Sequence, residues 1–290
     1  MEKICFIINP VSGTQKKDAW PELIRRGIDG KRFDTEILFT ERQGHAHELA
    51  FRQVKEQTPY VVAVGGDGTV NEVAAALRDS NSALGILPSG SGNGLARHLH
   101  IPLRLSDALK MIGTARVQTI DYGLANDKPF FCTLGAGFDA HVSEKFAHTR
   151  KRGFRKYVAI IAQEFILYRP QWYKLKYEGK SMEINAMLVT VANSSQYGNN
   201  GYISPLADIS DGQLDICILL PFPKILAPAL AARLVGKTIH KSPYYRTFRC
   251  RELSIVRSQA GVIHMDGDPC VMDSELYIKI VPGGLKVLTG

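Results

Sequence analysis

The spacing of hydrophobic and polar positions divides the chain into two parts. In the first part, short apolar runs alternate with longer segments in which apolar residues recur every three or four positions. This alternation predicts strands that are each followed by a helix, and therefore an α/β domain with a parallel sheet and helices on both faces. The predicted strands are residues 3–8, 35–39, 61–64 and 83–87; the predicted helices are residues 20–26, 45–55, 69–77, a segment that begins near Leu95, and 107–112 with Ser106 as N-cap.

The pattern changes after Asp121, where strand-like pieces separated by turn residues predominate. Such pieces predict a mainly antiparallel β-sandwich domain. The predicted strands are FFCTL, LKYEG, MEINAMLVTVAN, LDICILL, RELSIV and ELYIKIV, and two helices are predicted near residues 154–168 and 225–234. We therefore predict two domains, residues 1–124 and 125–290, and the C-terminal tail is a candidate to return to the first.

Three predicted strands of the first domain end in turns rich in small and polar residues. These turns are residues 9–13 (NPVSG), 65–69 (GGDGT) and 88–94 (PSGSGNG). In the second turn, glycines stand between a buried strand and a helix N-terminus, where free N–H groups and the helix dipole suit a phosphate. One such turn occurs in many α/β proteins. Because the carboxyl ends of parallel strands share one edge, three turns together predict a ligand site there.

Composition limits the class of protein. The 290 residues are 45% hydrophobic and 22% charged, which is typical of a soluble globular protein large enough for two domains. The five cysteines are scattered and form no CxxC pair, which argues against a zinc site and favours a reducing compartment. Neither a signal peptide nor an apolar run of about 18 residues is present, so we predict a cytoplasmic protein without a membrane span.

The net charge of +8 is concentrated in one region. Residues 144–180 contain ten Lys and Arg residues and three Glu residues. Such a charge favours anionic partners, although a solvated basic face is the ordinary alternative. No nucleic-acid recognition motif accompanies the charge, so we do not expect nucleic acid as a partner.

Six short motifs follow one another along nearly the whole chain. They are Asn9-Pro10-x-Ser12-Gly13, Gly65-Gly66-Asp67-Gly68-Thr69-x-Asn71-Glu72, Pro88-x-Gly90-Ser91-x-Asn93, Ser204-Pro205, Asp211-Gly212-x-Leu214-Asp215 and Asp266-Gly267-Asp268-Pro269. In this order they resemble the diacylglycerol kinase catalytic-domain family, which includes sphingosine kinases and bacterial lipid kinases. The second motif alone is shared with NAD kinases.

The resemblance implies a lipid kinase that uses ATP and Mg²⁺ to phosphorylate the hydroxyl of a diacylglycerol-like or sphingoid alcohol. It also implies a set of nucleotide contacts, in which Asp67 approaches the phosphates and their Mg²⁺. These contacts are Asn9, Pro10, Ser12, Gly13, Thr40, Gly65, Gly66, Asp67, Gly68, Thr69, Asn71, Glu72, Ser91 and Asn93. No GK[ST] sequence supplies a P-loop lysine, so backbone amides and metal would have to balance the phosphate charge.

The resemblance further implies a structural Mg²⁺ site formed by Asp208, Asp211 and the carbonyl of Gln213. Two carboxylates and a carbonyl are suitable hard ligands. An Asp-rich turn that caps its own backbone is the alternative for this segment.

Two acidic residues are candidates for the base that accepts the lipid hydroxyl proton. Asp266-Gly267-Asp268 stands where the family usually has Asp-Gly-Glu, so Asp268 is one methylene shorter than the implied base. Asp266 is the alternative base or an orienting partner, and either can be an ordinary turn residue. This departure leaves open a non-catalytic nucleotide- or lipid-binding homologue, and an NAD-kinase-like enzyme with a soluble substrate is the other alternative.

A lipid substrate implies that the protein binds a membrane surface peripherally. Candidate contacts are the basic residues 145–156 and the apolar residues 157–167. A second candidate is the stripe Phe222, Ile225, Leu226, Leu230 and Leu234, for which packing on the β domain is the alternative. The sequence does not decide between a monomer and a homodimer.

Overall fold

The computed structural model describes residues 1–13, 17–149 and 154–290, without the side chains of residues 154–156. By its internal contacts the chain forms two compact units. The first unit contains Met1–Asp121 and Gly283–Gly290, and the second contains Tyr122–Pro282. The chain therefore leaves the first unit after Asp121 and returns to it at Gly283.

The first unit alternates strands and helices, as the sequence predicts. Its elements in chain order are β1 (Glu2–Ile8), α1 (Trp20–Gly27), β2 (Phe33–Phe39), α2 (His45–Lys55), β3 (Tyr60–Gly65), α3 (Asp67–Leu77), β4 (Ala83–Pro88), α4 (Gly94–His98), α5 (Leu105–Thr114) and the start of β5 (Arg116–Ala125).

The sheet of the first unit is parallel in the order β2-β1-β3-β4. Residues Ile4 to Ile8 of β1 and Val61 to Val64 of β3 have no exposed surface, so helices and loops cover both faces of the sheet. The returning end of the chain adds a further parallel strand, in which Lys286 and Val287 pair with β4. The predicted α/β fold is confirmed.

The predicted N-cap of α5 is wrong. The helix begins at Leu105 after an extended Arg104, whose carbonyl accepts the first helical hydrogen bonds. Ser106 therefore lies inside the first turn, and its hydroxyl donates to the carboxylate of Asp107 at 3.3 Å.

The second unit is mainly antiparallel. Its elements are the end of β5, β6 (Lys128–Phe130), β7 (Thr133–Gly137), α6 (Phe138–Ala147), α7 (Phe154–Leu167), β8 (Gln171–Tyr177), β9 (Lys180–Ala186), β10 (Leu188–Ala192), β11 (Leu214–Leu219), a 3₁₀ turn (Lys224–Leu226), α8 (Ala227–Val235), a second 3₁₀ turn (Ile239–Lys241), β12 (Tyr245–Cys250), β13 (Glu252–Arg257), β14 (Gly261–Met265), β15 (Asp268–Met272) and the start of β16 (Glu275–Thr289).

Two antiparallel sheets of the second unit share one core. One sheet has the order β12-β11-β10-β7-β14-β15, and the other contains β16-β13-β8-β9. Buried side chains of both sheets, among them Val191 and Ile216 of the first and Leu253 and Ile278 of the second, belong to one hydrophobic cluster. The predicted β-sandwich is confirmed.

One predicted strand of the second unit is in fact two. The segment MEINAMLVTVAN forms β9 and β10, which lie in different sheets. At the break, the Met187 N–H donates to the carbonyl of Leu219 on β11, and the Met187 carbonyl accepts the N–H of Phe138. The continuous apolar pattern hid this switch, because strands on both sides of the break face the same core.

The first testable prediction concerns the point where the chain returns to the first unit. Asp121 is 3% exposed, and its Oδ1 accepts the N–H of Gly283 at 2.7 Å. Asp121→Ala removes a hydrogen bond to a carboxylate, so we expect the free energy of unfolding in urea to fall by about 1.5–3 kcal/mol. Asp121→Asn retains an oxygen acceptor and should lose less. Equal losses in the two variants would contradict this role of the carboxylate.

Candidate functional site

The three small-residue turns of the first unit lie together at the carboxyl ends of β1, β3 and β4. The hydroxyls of Ser12 and Ser89 are 3.0 Å apart, which joins the first turn to the third. Asn9 donates from Nδ2 to Oγ1 of Thr69 at 3.0 Å, which joins the first turn to the second. The Ser89 N–H donates to the carbonyl of Gly65 at 2.8 Å, which joins the third to the second. Each of the three turns is thus joined by a hydrogen bond to each of the other two.

Glycine is required where these turns meet. A Cβ added to Gly90 would lie 2.6 Å from the Cα of Gly66, and one added to Gly66 would lie 3.2 Å from the Cα of Gly90. A Cβ on Gly13, whose φ is +72°, would overlap the carbonyl of Ser89. Only residues without a side chain let the backbones approach so closely.

Asp67 connects the second turn to the third. Its Oδ2 accepts the N–H of Asn93 at 2.9 Å, and its Oδ1 accepts the N–H of Gly94 at 2.7 Å. Burial raises the pKa of this carboxyl above its ordinary value, while these two N–H groups and the charge of Arg97 act in the opposite direction. The side chain predicted to approach nucleotide phosphates therefore also fixes the shape of the third turn.

The third turn is closed by Asn93 within the turn and by Arg97 of α4. Asn93, with φ of +52°, accepts the N–H of Gly90 at 3.0 Å and donates to its carbonyl at 2.8 Å. Arg97 donates from Nε to the carbonyl of Gly92 at 3.0 Å. Between these bonds, Ser91 is exposed.

The N-terminus of α3 faces the same edge. The first backbone bond of this helix runs from the Val70 N–H to the carbonyl of Gly66. The N–H groups of Asp67, Gly68 and Thr69 precede that bond, so the helix ladder leaves them without a carbonyl partner. Such groups and the helix dipole favour an anion.

Two other predicted residues have contacts outside the three turns. Glu72 accepts the N–H groups of Gly44 and Ala46 at 2.8 and 3.1 Å, so its carboxylate holds the start of α2. Thr40 directly follows β2, is buried, and donates its N–H to the carbonyl of Ile8 at 2.9 Å.

The remaining predicted nucleotide contacts lie in or beside the turns. Pro10 is an exposed residue of the first turn, and Asn71 follows the second turn within α3.

Lys17 is a functional candidate that the sequence motifs do not reveal. It is 3% exposed, and its Nζ donates to the carbonyls of Asn9 and Ser12 at 2.6 and 2.8 Å and to the Ser12 hydroxyl. Burial lowers the pKa of its ammonium to about 8. The Lys17 ammonium thus places a positive charge against the first turn, although the sequence has no GK[ST] motif. No residue pattern distinguishes Lys17 from the other lysines of the sequence.

In the second unit, Asp266 and Gly267 form the two-residue turn between β14 and β15. Their φ values of +51° and +91° match the turn type that favours Asp-Gly in hairpins. Both oxygens of Asp266 accept backbone N–H groups, those of Phe131, Cys132 and Thr133, at 2.7 to 2.9 Å. Burial raises the pKa of Asp266 to about 6, against the effect of these three donors.

Asp268 differs from Asp266 in its surroundings. It is the first residue of β15, pairs with Met265 across the hairpin, and is exposed. Of the two candidate bases, Asp266 is thus occupied by three backbone donors, whereas Asp268 is accessible from solvent.

The predicted structural Mg²⁺ site has the hydrogen bonds of a self-capped turn. Asp208 accepts the N–H and hydroxyl of Ser210 at 2.9 and 2.8 Å, and Asp211 accepts the N–H of Gln213 at 3.0 Å. The second oxygen of Asp211 is 3.3 Å from the guanidinium of Arg249. Within the described residues no three His, Cys, Asp or Glu side chains are grouped to hold a metal ion. The predicted site consists of two carboxylates and a backbone carbonyl, and it stays a prediction.

Comparison with known families identifies the class of protein. Residues 3–125 match the diacylglycerol kinase catalytic domain, and residues 132–289 match the YegS C-terminal NAD kinase beta sandwich-like domain. The chain therefore belongs to the kinase family that combines these two domains.

Relatives of this chain match along most of their length. This chain is 28% identical over 258 residues to a "probable lipid kinase YegS-like" of Klebsiella pneumoniae (strain 342), and the match covers 87% of this chain and 85% of that protein. A protein with the same description from Pseudomonas aeruginosa (strain UCBPP-PA14) is 28% identical over 287 residues, covering 93% and 91%. The fold resembles the crystal structure of a diacylglycerol kinase from Bacillus anthracis str. Sterne, with a TM-score of 0.78, 21% identity and coverage of 100% and 97%.

The contact between Gly66 and Gly90 gives the second testable prediction. Gly90→Ala places a methyl group against the Gly66 backbone, so we expect the free energy of unfolding to fall by about 1–3 kcal/mol. Gly113→Ala is the matched control, because a Cβ there, within α5, meets nothing within 4 Å. Alanine at this helical position should leave stability unchanged or raise it by up to about 1 kcal/mol. Thermal and urea unfolding of both variants would test this prediction. A Gly90→Ala protein as stable as the wild type would show that glycine is not required at position 90.

The third prediction concerns the pH dependence of stability at Lys17. The pKa of its ammonium falls from 10.5 to about 8 on folding, so the folded protein binds this proton more weakly than the unfolded chain does. Between these pH values the unfolded state carries more protons, and stability therefore rises with pH. We expect the unfolding free energy of the wild type, minus that of Lys17→Met, to increase between pH 8 and 10.5. Lys31→Met, at an exposed lysine, provides the baseline; a flat or falling difference would be inconsistent with the burial of this charge.

Proposed function

We propose that the protein is a lipid kinase that transfers the γ-phosphoryl group of MgATP to the hydroxyl of a lipid alcohol. The observation that carries this proposal is the joining of the three turns, the N-terminus of α3 and the Lys17 ammonium at one edge of the parallel sheet. Turn amides, a helix N-terminus and a buried cation together favour a chain of phosphates. Membership of the kinase family supports the same conclusion.

The first unit would bind the nucleotide through its backbone more than through its side chains. Amides of the second turn and α3 would contact the phosphates, while Ser12, Thr40 and Ser91 offer hydroxyls. Lys17 would contribute charge from behind the first turn, because its Nζ already binds the carbonyls of that turn. Mg²⁺ would enter with ATP as part of the substrate, and Asp67, a carboxylate within the second turn, could meet it.

The chemical step would be an in-line displacement at phosphorus. The lipid oxygen attacks the γ-phosphorus, the bond to the β–γ bridging oxygen breaks, and ADP leaves. Asp268 would accept the hydroxyl proton, because it is exposed whereas Asp266 is held by three backbone donors. Positioning and charge compensation would supply most of the rate enhancement in such a reaction.

We also propose that the second unit binds a membrane surface peripherally. Ile166, Leu167 and Ile225 are 63%, 81% and 86% exposed, and the Lys224 ammonium donates to the carbonyl of Ile166. An apolar cluster next to a basic group suits an anionic bilayer surface. Of the predicted stripe, Leu230 of α8 is buried, and Leu234 and Phe222 pack against the same hydrophobic cluster, so these three side chains belong to the core.

The predicted basic run is another candidate for membrane contact. Residues 150–153 of the predicted basic run lie outside the described residues. Among the residues that are described, no helix is both long and apolar enough to cross a bilayer.

The fourth prediction tests the proposed activity directly. Purified protein, MgATP labelled in the γ-phosphate, and mixed micelles of diacylglycerol, monoacylglycerol or sphingosine should give a labelled product that extracts into organic solvent. Asp268→Asn should lower turnover by about 10²–10⁴-fold, as expected for loss of a general base, while leaving ATP affinity unchanged. Asp268→Glu retains a carboxylate and is the matched control.

Other outcomes of this assay would identify the alternatives. Label transferred to NAD and retained in water would indicate an NAD-kinase-like enzyme. ATP binding without transfer to any acceptor would indicate a non-catalytic homologue. Full turnover by Asp268→Asn would show that another group accepts the proton.

A further inference from the structure

Behind the Asp266-Gly267 turn, the second unit contains a group of polar side chains to which the proposed chemistry assigns no role. They are Asp139 of α6, Thr190 of β10, Tyr197, and His264 of β14. Asp139, Thr190 and His264 are 9%, 0% and 2% exposed. A carboxylate and an imidazole buried this deeply require specific partners, because an uncompensated polar group in the interior costs several kcal/mol.

Asp139 has donors for both carboxylate oxygens. Its Oδ1 accepts the N–H of Ala140 at 2.8 Å. Its Oδ2 accepts the hydroxyls of Thr190 and Tyr197 at 2.7 and 3.2 Å and faces Nε2 of His264 at 3.3 Å. The Ala140 N–H and the hydroxyls of Thr190 and Tyr197 all donate to this carboxyl, so none of these contacts needs a proton on Asp139. The carboxyl is therefore ionised and can only accept hydrogen bonds.

This carboxylate decides which nitrogen of His264 carries the proton. Because Asp139 can only accept, Nε2 must be the protonated nitrogen. In the neutral ring, Nδ1 is then an acceptor, and it lies 3.4 Å from the backbone nitrogen of Gly267. The Gly267 N–H thus donates to an imidazole whose tautomer is fixed from its opposite side.

The backbone of β7 leaves room for this arrangement only because it contains a glycine. A Cβ on Gly135 would overlap both the carboxylate of Asp139 and Nε2 of His264. The pair is therefore packed directly against the strand. The same strand begins with Thr133, whose N–H binds Asp266.

We propose that His264 is a positioning residue of the kinase reaction. Its Nδ1 holds the Gly267 amide and fixes the turn from which Asp268 follows, while Asp139 sets the tautomer that makes this possible. Asp266 anchors the other side of the same turn. The proposal rests on the proposed function, since the residue positioned is the base assigned there.

Two substitutions of His264 separate its two contacts. His264→Asn places an oxygen near the position of Nδ1 and can still accept from Gly267, whereas His264→Gln places its amide near Nε2 and keeps only the contact with Asp139. We expect His264→Asn to retain most of the wild-type kcat and His264→Gln to lose about tenfold or more, since small displacements of a reacting group have effects of this size. The KM for ATP should change little in either variant.

The assay uses sphingosine or dioctanoylglycerol in mixed micelles, whichever the wild type phosphorylates. Thermal unfolding establishes that each variant folds. Hydrogen exchange of the Gly267 amide, measured by NMR, should show protection in the wild type and in His264→Asn and loss of protection in His264→Gln.

Asp139→Asn provides an independent variant. An amide at this position can donate to Nε2 and move the ring proton to Nδ1, where it would oppose the Gly267 N–H, as in a catalytic triad whose acid is replaced by an amide. We expect kcat and Gly267 protection to fall as in His264→Gln. Equal behaviour of the two His264 variants would overturn the proposal, and so would an unchanged kcat in a variant that has lost Gly267 protection.

Failure of the proposed function can be recognised separately. A wild type that phosphorylates neither alcohol removes the lipid-kinase assignment and, with it, the reaction that His264 would serve. Hydrogen exchange at Gly267 still decides whether the Asp139–His264 pair holds the turn.

Discussion

The arrangement of the first unit depends on a steric constraint, the contact between the backbones of Gly66 and Gly90. The second and third turns come this close because neither glycine has a Cβ. The hydrogen bonds that link the turns, from Ser12 to Ser89 and from Asn9 to Thr69, also depend on this close approach of the turns. The anion binding that we propose for this edge would therefore follow from the shape of the backbone, and Lys17 would add charge to it.

Most acidic residues of the six sequence motifs bind backbone N–H groups. Asp67, Glu72 and Asp266 each accept two or three N–H groups, from the third turn, the start of α2, and residues 131–133. A partly buried carboxylate needs such donors, and a loop with free N–H groups needs such an acceptor. Asp268, by contrast, is exposed to solvent, and we propose a different role for it. A motif carboxylate is thus not a catalytic group merely because it is acidic.

The sequence predicted both fold classes and the meeting of the three turns, because alternation and glycine content are local signals. It missed contacts that depend on distant residues. Nothing in the local sequence of Lys17 indicates that its ammonium binds the carbonyls of the first turn. His264 and Asp139 are 125 positions apart, so no local pattern predicts their contact. The hairpin of β14 and β15 was also missed, since Pro269 weakens its strand pattern. Pro269 is tolerated because β15 is an edge strand.

The last strand has a consequence for how the chain is made. Lys286 and Val287 pair with residues 83 and 84 of β4, so a strand completed early in synthesis gains this neighbour only after the whole second unit has been made. Until then the edge of β4 offers unpaired amides and carbonyls to other chains. The sheet of the first unit is therefore completed only after the second unit has been synthesised, and contacts this distant in sequence form slowly. During that interval a nascent chain would benefit from a chaperone that covers this edge.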